Sequence, residues 1–240
     1  MSLILRAVTR TDTGPVRANN EDAGLAGRRV LAIADGVGGS PAGEVASGIV
    51  IDALTALDGS PGDSTDPAVK LRAAVDAANA EIREVARNNP ENHGMGTTVT
   101  ALMLDGTEFG VLHIGDSRGY LLRDGEAQQF TRDDTYVQAL VDQGVITKDE
   151  ARRHPQRSLV TRAVHGQHLP PASSVLAARD GDRVLLCSDG LSDFVTDKAI
   201  TEALRSFPDP NACAERLVKL ALQVGGSDNV TVVVGDLTAG

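Results

Sequence analysis

Aromatic residues are scarce in this sequence: Phe, Tyr and Trp make up 2% of its 240 positions, and Trp is absent. A surface that stacks nucleic-acid bases on aromatic rings is therefore not expected. Positive charge is also limited, because 23 Lys and Arg stand against 33 Asp and Glu, a formal net charge of −10. Nucleic acids and anionic membranes both require a basic face on their partner, so neither is an expected partner of this chain.

Cysteine and long apolar runs are scarce as well. Cys187 and Cys213 are the only cysteines, too few for a disulfide scaffold, and Cys187 is expected in the core. No apolar run approaches the roughly 20 residues of a membrane span. The first residues, MSLILRAVTRTD, are too short and too soon polar for a signal peptide. The sequence predicts a cytoplasmic globular protein with a core of Val, Leu, Ile and Ala.

Short apolar and alternating runs predict a set of β-strands. The clearest are Val30–Ala34, Thr97–Leu104, Phe109–Ile114 and Val184–Cys187. Weaker patterns add Leu3–Thr9, Val230–Val234, and a hairpin in which Tyr120–Arg123 turns at Asp124-Gly125 into Gln128–Thr131.

Helices are predicted from apolar periodicity and from capping residues. The expected starts are Ser40-Pro41, Asp66-Pro67, Thr196 and Asp209-Pro210. Helix pairs near both ends, with hairpin strands between them, fit α+β layers better than a doubly wound parallel sheet.

The segment from Asp133 to Pro171, called the flap below, differs from the rest of the chain. It has weak helical pieces and too few apolar residues for a core of its own, so we interpret it as a subdomain inserted in a single domain of residues 1–240. It also carries a basic island in an otherwise acidic chain: Arg152, Arg153, His154, Arg157, Arg162, His165 and His168.

Aspartates recur at the ends of the predicted strands. Asp35, Asp116 and Asp189 each follow an apolar run closely, and Asp228 lies just before the last strand. Clustered carboxylates repel one another unless cations neutralise them, and oxygen ligands select Mg²⁺ or Mn²⁺ over zinc. The alternative is that they are turn residues, as we assign the aspartates of four other Asp-Gly pairs: Asp58, Asp105, Asp124 and Asp180.

Six motifs in order give the sequence a family resemblance: R-x-x-N-E-D from Arg17, A-D-G-V-G-G from Ala34, G-T-T from Gly96, G-D-S-R from Gly115, C-S-D-G-L from Cys187 and S-D-N-V-T from Ser227. The chain resembles the metal-dependent protein phosphatases of the type-two-C (PPM) family from Val8 to Val234, and most of all actinobacterial serine/threonine phosphatases that oppose eukaryotic-type kinases. This resemblance implies a β-sandwich of two mainly antiparallel sheets flanked by helix pairs, in α-β-β-α layers.

The resemblance also implies a set of metal ligands. Asp35 would bridge two Mn²⁺ or Mg²⁺ ions, with the carbonyl of Gly36 as a further ligand. Asp189 and Asp228 would complete the first ion's protein ligands, and Asp116 would hold a third ion together with Asp189.

The remaining site residues follow from the same resemblance. Arg17 would clamp the phosphate through a bidentate, charge-assisted contact that Lys could not reproduce. Glu21 would act through metal-bound water, and Asp22 and Asn229 would support the ligands from outside.

The implied reaction is hydrolysis of phosphoserine and phosphothreonine in proteins. A hydroxide shared by two ions would attack phosphorus in line, without a phosphoenzyme. The expected partners are phosphorylated proteins and a serine/threonine kinase that acts on them, and we expect a monomer. Val37 and Ser40 stand where members of the family carry His, so leaving-group protonation would pass to a metal-bound water in preference to His154 of the flap. His93 and His113 are interpreted as ordinary surface and core residues.

The sequence leaves three further interpretations open. Arg152, Arg153 and Arg157 could attract acidic phosphopeptides to the cleft, or they could be solvated residues without substrate contact. The fold could instead serve a two-metal phosphodiesterase or nuclease. A regulatory module without catalysis, or a structural Ca²⁺ site, is less favoured, because all four aspartates are present and a contiguous calcium loop is not.

Overall fold

The computed structural model describes residues 3–37, 42–59, 65–168 and 172–240. Within these residues, two five-stranded sheets have the orders β1-β10-β9-β6-β7 and β2-β3-β4-β5-β8. All neighbouring strands are antiparallel. The strands are β1 (Leu3–Asp12), β2 (Asp22–Ala26), β3 (Val30–Asp35), β4 (Val99–Asp105), β5 (Glu108–Ile114), β6 (Arg118–Arg123), β7 (Glu126–Gln129), β8 (Ala172–Ala177), β9 (Arg183–Cys187) and β10 (Val230–Ala239).

Helices cover the outer faces of both sheets and form part of the flap. They are α1 (Gly43–Asp58), α2 (Pro67–Asn88), α3 (Tyr136–Asp142), α4 (Lys148–Arg153), α5 (Asp189–Ser192), α6 (Asp197–Ser206) and α7 (Pro210–Gln223), with a short 3₁₀ turn at Pro90–Asn92. Helices α1 and α2 pack on the sheet that contains β3. Helices α6 and α7 pack on the sheet that contains β9 and β10. The predicted layers of helix, sheet, sheet and helix are confirmed.

Strand β3 shows why an apolar run without alternation becomes a strand here. Val30 and Ala32 face α1 and α2, whereas Leu31 and Ile33 face the other sheet and pack near Val233. Because both faces are covered, every residue from Val30 to Ala34 is buried. Burial of a Leu or Ile side chain stabilises a fold by about 1.5–3 kcal/mol, so the end of this strand is held firmly.

The capping predictions are confirmed at three of the four helix starts. The side chains of Asp66, Thr196 and Asp209 each accept a hydrogen bond from the first turn of α2, α6 and α7 respectively. The predicted start at Ser40-Pro41 lies outside the described residues. Helix α1 is described from Gly43, after Ala42 in the left-handed region at φ 66°.

Two strands were not predicted from the sequence. β2, with the sequence DAGLA, is half-buried throughout and has no apolar alternation. β8, with the sequence ASSVLA, is an exposed edge strand that pairs with β5. All residues of β8 except Leu176 are exposed, so no buried face imposes the apolar alternation from which a strand is predicted.

In the flap, the helical piece that the sequence predicts at Tyr136–Gln143 is observed as α3, and α4 follows it. Isolated bridges join Thr135 to Val160 and Thr97 to Val164, so the described part of the flap is attached near the start of β4. Among the described residues, no helix is both long and apolar enough to cross a membrane.

Candidate active site

Asp35 is the last residue of β3 and lies opposite Asp22, the first residue of β2. Its backbone is held by the G-T-T motif: Asp35 N–H donates to Thr98 Oγ1 at 3.1 Å, Thr98 N–H donates to the Asp35 carbonyl at 2.8 Å, and Thr97 Oγ1 donates to the same carbonyl at 2.9 Å. The strand end therefore presents the Asp35 side chain from a fixed backbone.

Gly36 has no room for a side chain. A Cβ atom there would lie 2.7 Å from the backbone of Gly43 and 2.8 Å from Cβ of Glu21. The Gly36 N–H also donates to the Glu21 carbonyl at 3.1 Å. Glycine at this position lets the start of α1 and the segment before β2 approach Asp35 closely.

Asp189 and Asp228 lie at the same end of the other sheet. Asp189 begins α5 directly after β9, and Asp228 precedes β10, which pairs with β9. Gly190 permits this approach, because a Cβ on it would lie 1.9 Å from the carbonyl oxygen of Asn229. The antiparallel register thus places both carboxylates at one edge.

Asp116 is buried in the loop where the chain crosses from β5 in one sheet to β6 in the other. The loop is held by the beginning of the flap: Gly115 N–H donates to Asp134 Oδ2 at 3.1 Å, and Asp134 N–H donates to the Gly115 carbonyl at 2.7 Å. All four predicted aspartates therefore lie at one end of the sandwich.

The electrostatics show that these carboxylates influence one another. Burial is the main cause that raises the pKa of Asp35, and the charges of Asp22, Asp189 and Asp116 raise it further. The pKa of Asp189 is raised by burial and then by Asp116 among its neighbours. Burial raises the pKa of Asp22 to about 6. Burial, followed by the charges of Asp133 and Asp193, raises the pKa of Asp116 to about 7. Like charges held this close disfavour full ionisation without a cation.

Arg17 lies beside these carboxylates, although most of them are far from Arg17 in the sequence. Its Nη2 donates to Oδ2 of Asp228 at 2.8 Å, and the Arg17 side chain is 41% exposed. The hydrogen bond to Asp228 is the main cause that raises the pKa of Arg17. The predicted phosphate clamp is thus a solvent-accessible cation beside the carboxylates.

Asn229 anchors the segment that carries Arg17. Its Oδ1 accepts from Glu21 N–H at 2.9 Å, and its Nδ2 donates to the carbonyls of Thr13 and Asn19, each at 2.9 Å. Three backbone groups of residues 13–21 are therefore fixed by one side chain. This arrangement is compatible with the supporting role expected of Asn229.

The donor set fits a hard divalent cation. Oδ1 of Asp22 is buried without a hydrogen-bond partner among the described residues, while its Oδ2 accepts from Ser188 Oγ at 2.8 Å. An unpartnered carboxylate oxygen beside Asp35 suits an ion with oxygen ligands. In the ranges that the structure describes, no three His, Cys, Asp or Glu side chains already form a ready-made metal site.

The basic residues of the flap have different surroundings. Arg152 Nη2 donates to the Val195 carbonyl at 3.2 Å, and Arg157 Nε lies 3.5 Å from Oδ2 of Asp193. Both therefore contact the segment that follows α5, whereas Arg153 is exposed. Their predicted role in attracting phosphopeptides stays a prediction, with Arg153 as its most accessible member.

The histidines and Cys187 occupy the surroundings that the sequence predicted. His113 is buried and His93 is exposed. His154 lies beside Tyr136, with the ring centres 6.1 Å apart. Burial raises the pKa of the Cys187 thiol to about 12, so the thiol stays protonated and is unsuited to act as a nucleophile.

Sequence reasoning missed one buried ion pair near Asp116. Arg118 of the G-D-S-R motif donates to Asp133 at 2.6–3.1 Å and joins β6 to the first residue of the flap. The G-D-S-R motif singles out Arg118 in the sequence, but it does not indicate which residue pairs with Arg118.

Comparison with known proteins agrees with this geometry. The family model described as Protein phosphatase 2C matches residues 17–222. The chain is 56% identical over 238 residues to the serine/threonine protein phosphatase PstP of Mycobacterium tuberculosis, covering 99% of this chain and 46% of PstP. It is 33% identical over 240 residues to the serine/threonine phosphatase Stp of Listeria monocytogenes, covering 96% of this chain and 95% of Stp.

A solved structure shows the same fold. The catalytic domain of PstP, crystallised in complex with two manganese ions, superposes with a TM-score of 0.93 at 53% identity, covering 99% of this chain and 100% of that one. The chain belongs to the protein phosphatase 2C family. It spans about half the length of PstP and nearly the whole length of the Listeria protein.

Proposed function

We propose that this protein is a metal-dependent protein phosphatase that hydrolyses phosphoserine and phosphothreonine. The observation that carries the proposal is the meeting of Asp35, Asp116, Asp189 and Asp228 with Arg17 at one end of the sandwich. Acidic ligands for cations beside an accessible guanidinium are the parts that a phosphate monoester requires. Membership of a family with named serine/threonine phosphatases supports the same reaction.

Manganese or magnesium is the proposed cofactor, with two catalytic ions and a third. Asp35 and the carbonyl of Gly36, with Asp189 and Asp228, would hold the two catalytic ions, and Asp116 would hold the third with Asp189. Such ions, when bound, neutralise phosphoryl charge and lower the pKa of water. The two manganese ions in the PstP structure support this choice of metal.

The chain's own residues have separate roles in this proposal. Arg17 would leave Asp228 to bind two phosphate oxygens, because a guanidinium offers parallel donors that match a phosphate. Asn229 would keep the Arg17 segment in place through its three backbone contacts. Glu21 and Asp22 would support the ligands from outside, with Asp22 fixed by Ser188. Transition states of phosphoryl transfer are loose, so positioning and charge neutralisation dominate the rate.

The proposed substrates are phosphorylated proteins, and the proposed partner is a serine/threonine kinase whose products this enzyme would reverse. We also propose that the protein acts in the cytoplasm and that it acts as a monomer. The substrate class and the sequence support these two proposals. Exposed Arg153 would favour acidic phosphopeptides by offsetting the net charge of −10.

Phosphate release from matched phosphoserine, phosphothreonine and phosphotyrosine peptides tests the proposal. We expect release from the first two with Mn²⁺ or Mg²⁺, and none with a chelator. An Asp189→Asn variant should lose this activity, whereas Asp124→Asn, in a surface turn between β6 and β7, should keep it. Cleavage of single- or double-stranded DNA without peptide dephosphorylation would instead support a two-metal nuclease.

A further inference from the structure

His113 joins the beginning of the flap to the core of the sandwich. It lies in β5 opposite Thr100 of β4 and is 4% exposed. Its Nδ1 is 2.9 Å from Thr100 Oγ1, and its Nε2 is 3.0 Å from the carbonyl oxygen of Arg132. One ring therefore contacts both the sheet and the residue that precedes the flap.

The hydrogen bonds continue from Thr100 to the predicted bridging ligand. Thr100 Oγ1 is 3.0 Å from the Ser117 carbonyl, and Ser117 Oγ is 2.8 Å from Thr98 Oγ1. Thr98 Oγ1 in turn accepts from the Asp35 N–H. A connected, buried series of polar groups thus runs from Arg132 to the backbone of Asp35.

The chemistry of the partners assigns the protons on the ring. A carbonyl oxygen only accepts hydrogen bonds, so Nε2 of His113 carries a proton and donates a hydrogen bond to the Arg132 carbonyl. Burial lowers the pKa of His113, and the charges of Asp134 and Asp133 oppose this shift. In the neutral ring Nδ1 is an acceptor, so the single hydrogen of the Thr100 hydroxyl is shared between Nδ1 and the Ser117 carbonyl. Nε2 therefore bonds to the residue before the flap, and Nδ1 bonds to the sheet.

We propose that His113 is a positioning residue that holds the root of the flap, Arg132–Asp134, against the segment Gly115–Arg118 that contains Asp116. Nε2 fixes the flap root, and Nδ1 holds the Thr100 hydroxyl, which also contacts the Ser117 carbonyl. The consequence for turnover rests on the proposed phosphatase function, whereas the attachment of the flap does not.

Two substitutions separate the two nitrogens. The amide of Gln at position 113 reaches the place of Nε2 and can donate to Arg132, whereas the shorter Asn reaches the place of Nδ1 and can accept from Thr100. We expect His113→Asn to increase hydrogen exchange at the amides of Asp134 and Thr161, which bond to Gly115 and Asp134. An increase of about 3- to 10-fold corresponds to the loss of one hydrogen bond. His113→Gln should leave these amides protected.

Steady-state kinetics supply the second measurement. His113→Asn should raise KM for a phosphothreonine peptide by about 3- to 10-fold with little change in kcat, since the flap beside the Asp116 segment loosens while the carboxylates stay in place. Thr100→Val, which removes the hydroxyl and keeps the shape, should lower kcat and leave exchange at Asp134 unchanged. A variant destabilised at a remote position, Asp58→Asn, is the matched control and should alter neither.

The two proposals fail in different ways. Equal exchange at Asp134 and Thr161 in the Asn and Gln variants, or no increase in His113→Ala, would overturn the role of His113 whatever the activity of the wild type. Absence of peptide dephosphorylation by the wild type would overturn the phosphatase proposal and leave the exchange result as the measure of flap attachment.

Discussion

Arg17 Nη2 and Asp228 Oδ2 are 2.8 Å apart, so the residue expected to bind phosphate rests on a residue expected to bind metal. In this arrangement the guanidinium is held at the site before an anion arrives. An ion at Asp228 would compete for the same carboxylate and so release Arg17 toward the phosphate. Metal and phosphate binding would in this way assist each other.

Replacement of Arg17 should reduce phosphatase efficiency without unfolding the protein. Hydrogen bonds to charged groups contribute about 1.5–3 kcal/mol, so we expect Arg17→Ala to lower kcat/KM by about 10- to 150-fold. Arg17→Lys should recover only part of this loss, because an ammonium cannot make the bidentate contact. Phosphopeptide kinetics measure the effect, with Arg6→Ala, at an exposed position of β1, as the control.

Removal of a predicted metal ligand should abolish turnover and spare the fold. Substitution of a residue that only supports a metal ligand lowers metal affinity or activity by about 10- to 100-fold. Asp35→Asn or Asp189→Asn, which would remove a ligand itself, should therefore lower activity by more than about 100-fold. The metal-free variants should melt no lower than the wild type, because each substitution removes a repelling charge. Asp116→Asn should weaken the third ion and slow catalysis less. Full activity of Asp189→Asn in Mn²⁺ would refute the ligand assignment.

The metal-free protein should lose stability as the pH rises. The pKa of Asp116 is raised to about 7 in the fold, whereas an unfolded Asp titrates near about 3.9. At a pH below the unfolded pKa, Asp116 is protonated in both the folded and the unfolded state. At a pH above the folded pKa it is charged in both states, and only the folded state is destabilised by burying that charge. Stability is therefore lost between these values.

Asp116→Asn isolates this effect of pH on stability. Relative to the wild type, the variant should become progressively more stable as the pH rises from about 4 to about 8 in chelator. Thermal melting at both pH values measures the difference. A difference that is constant with pH would contradict the raised pKa of Asp116.

Asp58 should stabilise the turn before β3. Its carboxylate accepts from the N–H groups of Arg28, Arg29 and Val30 at 2.7–3.0 Å. Burial raises the pKa of Asp58, but these hydrogen bonds outweigh burial and the net shift is downward. Asp58→Asn should cost about 1 kcal/mol near neutral pH. The loss should vanish as the pH falls through the folded pKa, because stabilisation by the charged form is then absent in the wild type too.

Thermal melting of Asp58→Asn, compared with Asp52→Asn on the exposed face of the same helix, tests this prediction. Asp52→Asn should melt like the wild type. Equal melting of the two variants near neutral pH would show that the three backbone contacts of Asp58 contribute nothing.

The exposed flap residue Arg153 should affect acidic substrates selectively. Arg153→Glu reverses one charge and leaves the contacts of Arg152 and Arg157 in place. We expect KM for an acidic phosphopeptide to rise by about 3- to 10-fold at low ionic strength and to recover in high salt. The KM for p-nitrophenyl phosphate should not change. Arg87→Glu on α2 is the control, and parallel changes with both substrates would count against the flap.

The aspartates could be found from sequence because each lies beside an apolar run, and a strand end is a feature of local sequence. Asp35 and Asp189 are of this kind. β8 could not be found, since nearly all of it is exposed and no buried face imposes an alternating pattern. The partners of Arg118 and His113 could not be found either. Asp133 and Arg132 lie 15 and 19 residues away from them in the chain, and such pairing depends on how the flap folds back on the sheets.

Ser188 Oγ, after β9, donates to Asp22 Oδ2, at the start of β2, and this hydrogen bond joins those of Asn229 to the segment before β2 in linking the two halves of the sandwich at the carboxylate end. The acidic residues are divided between these halves, which are kept aligned by these hydrogen bonds and by the apolar layer around Leu31, Ile33 and Val233. A slip of one sheet past the other would separate the ligands long before the chain lost its secondary structure. The proposed phosphatase activity should therefore respond to sheet alignment, and core substitutions far from the carboxylates should lower it while the circular dichroism stays native.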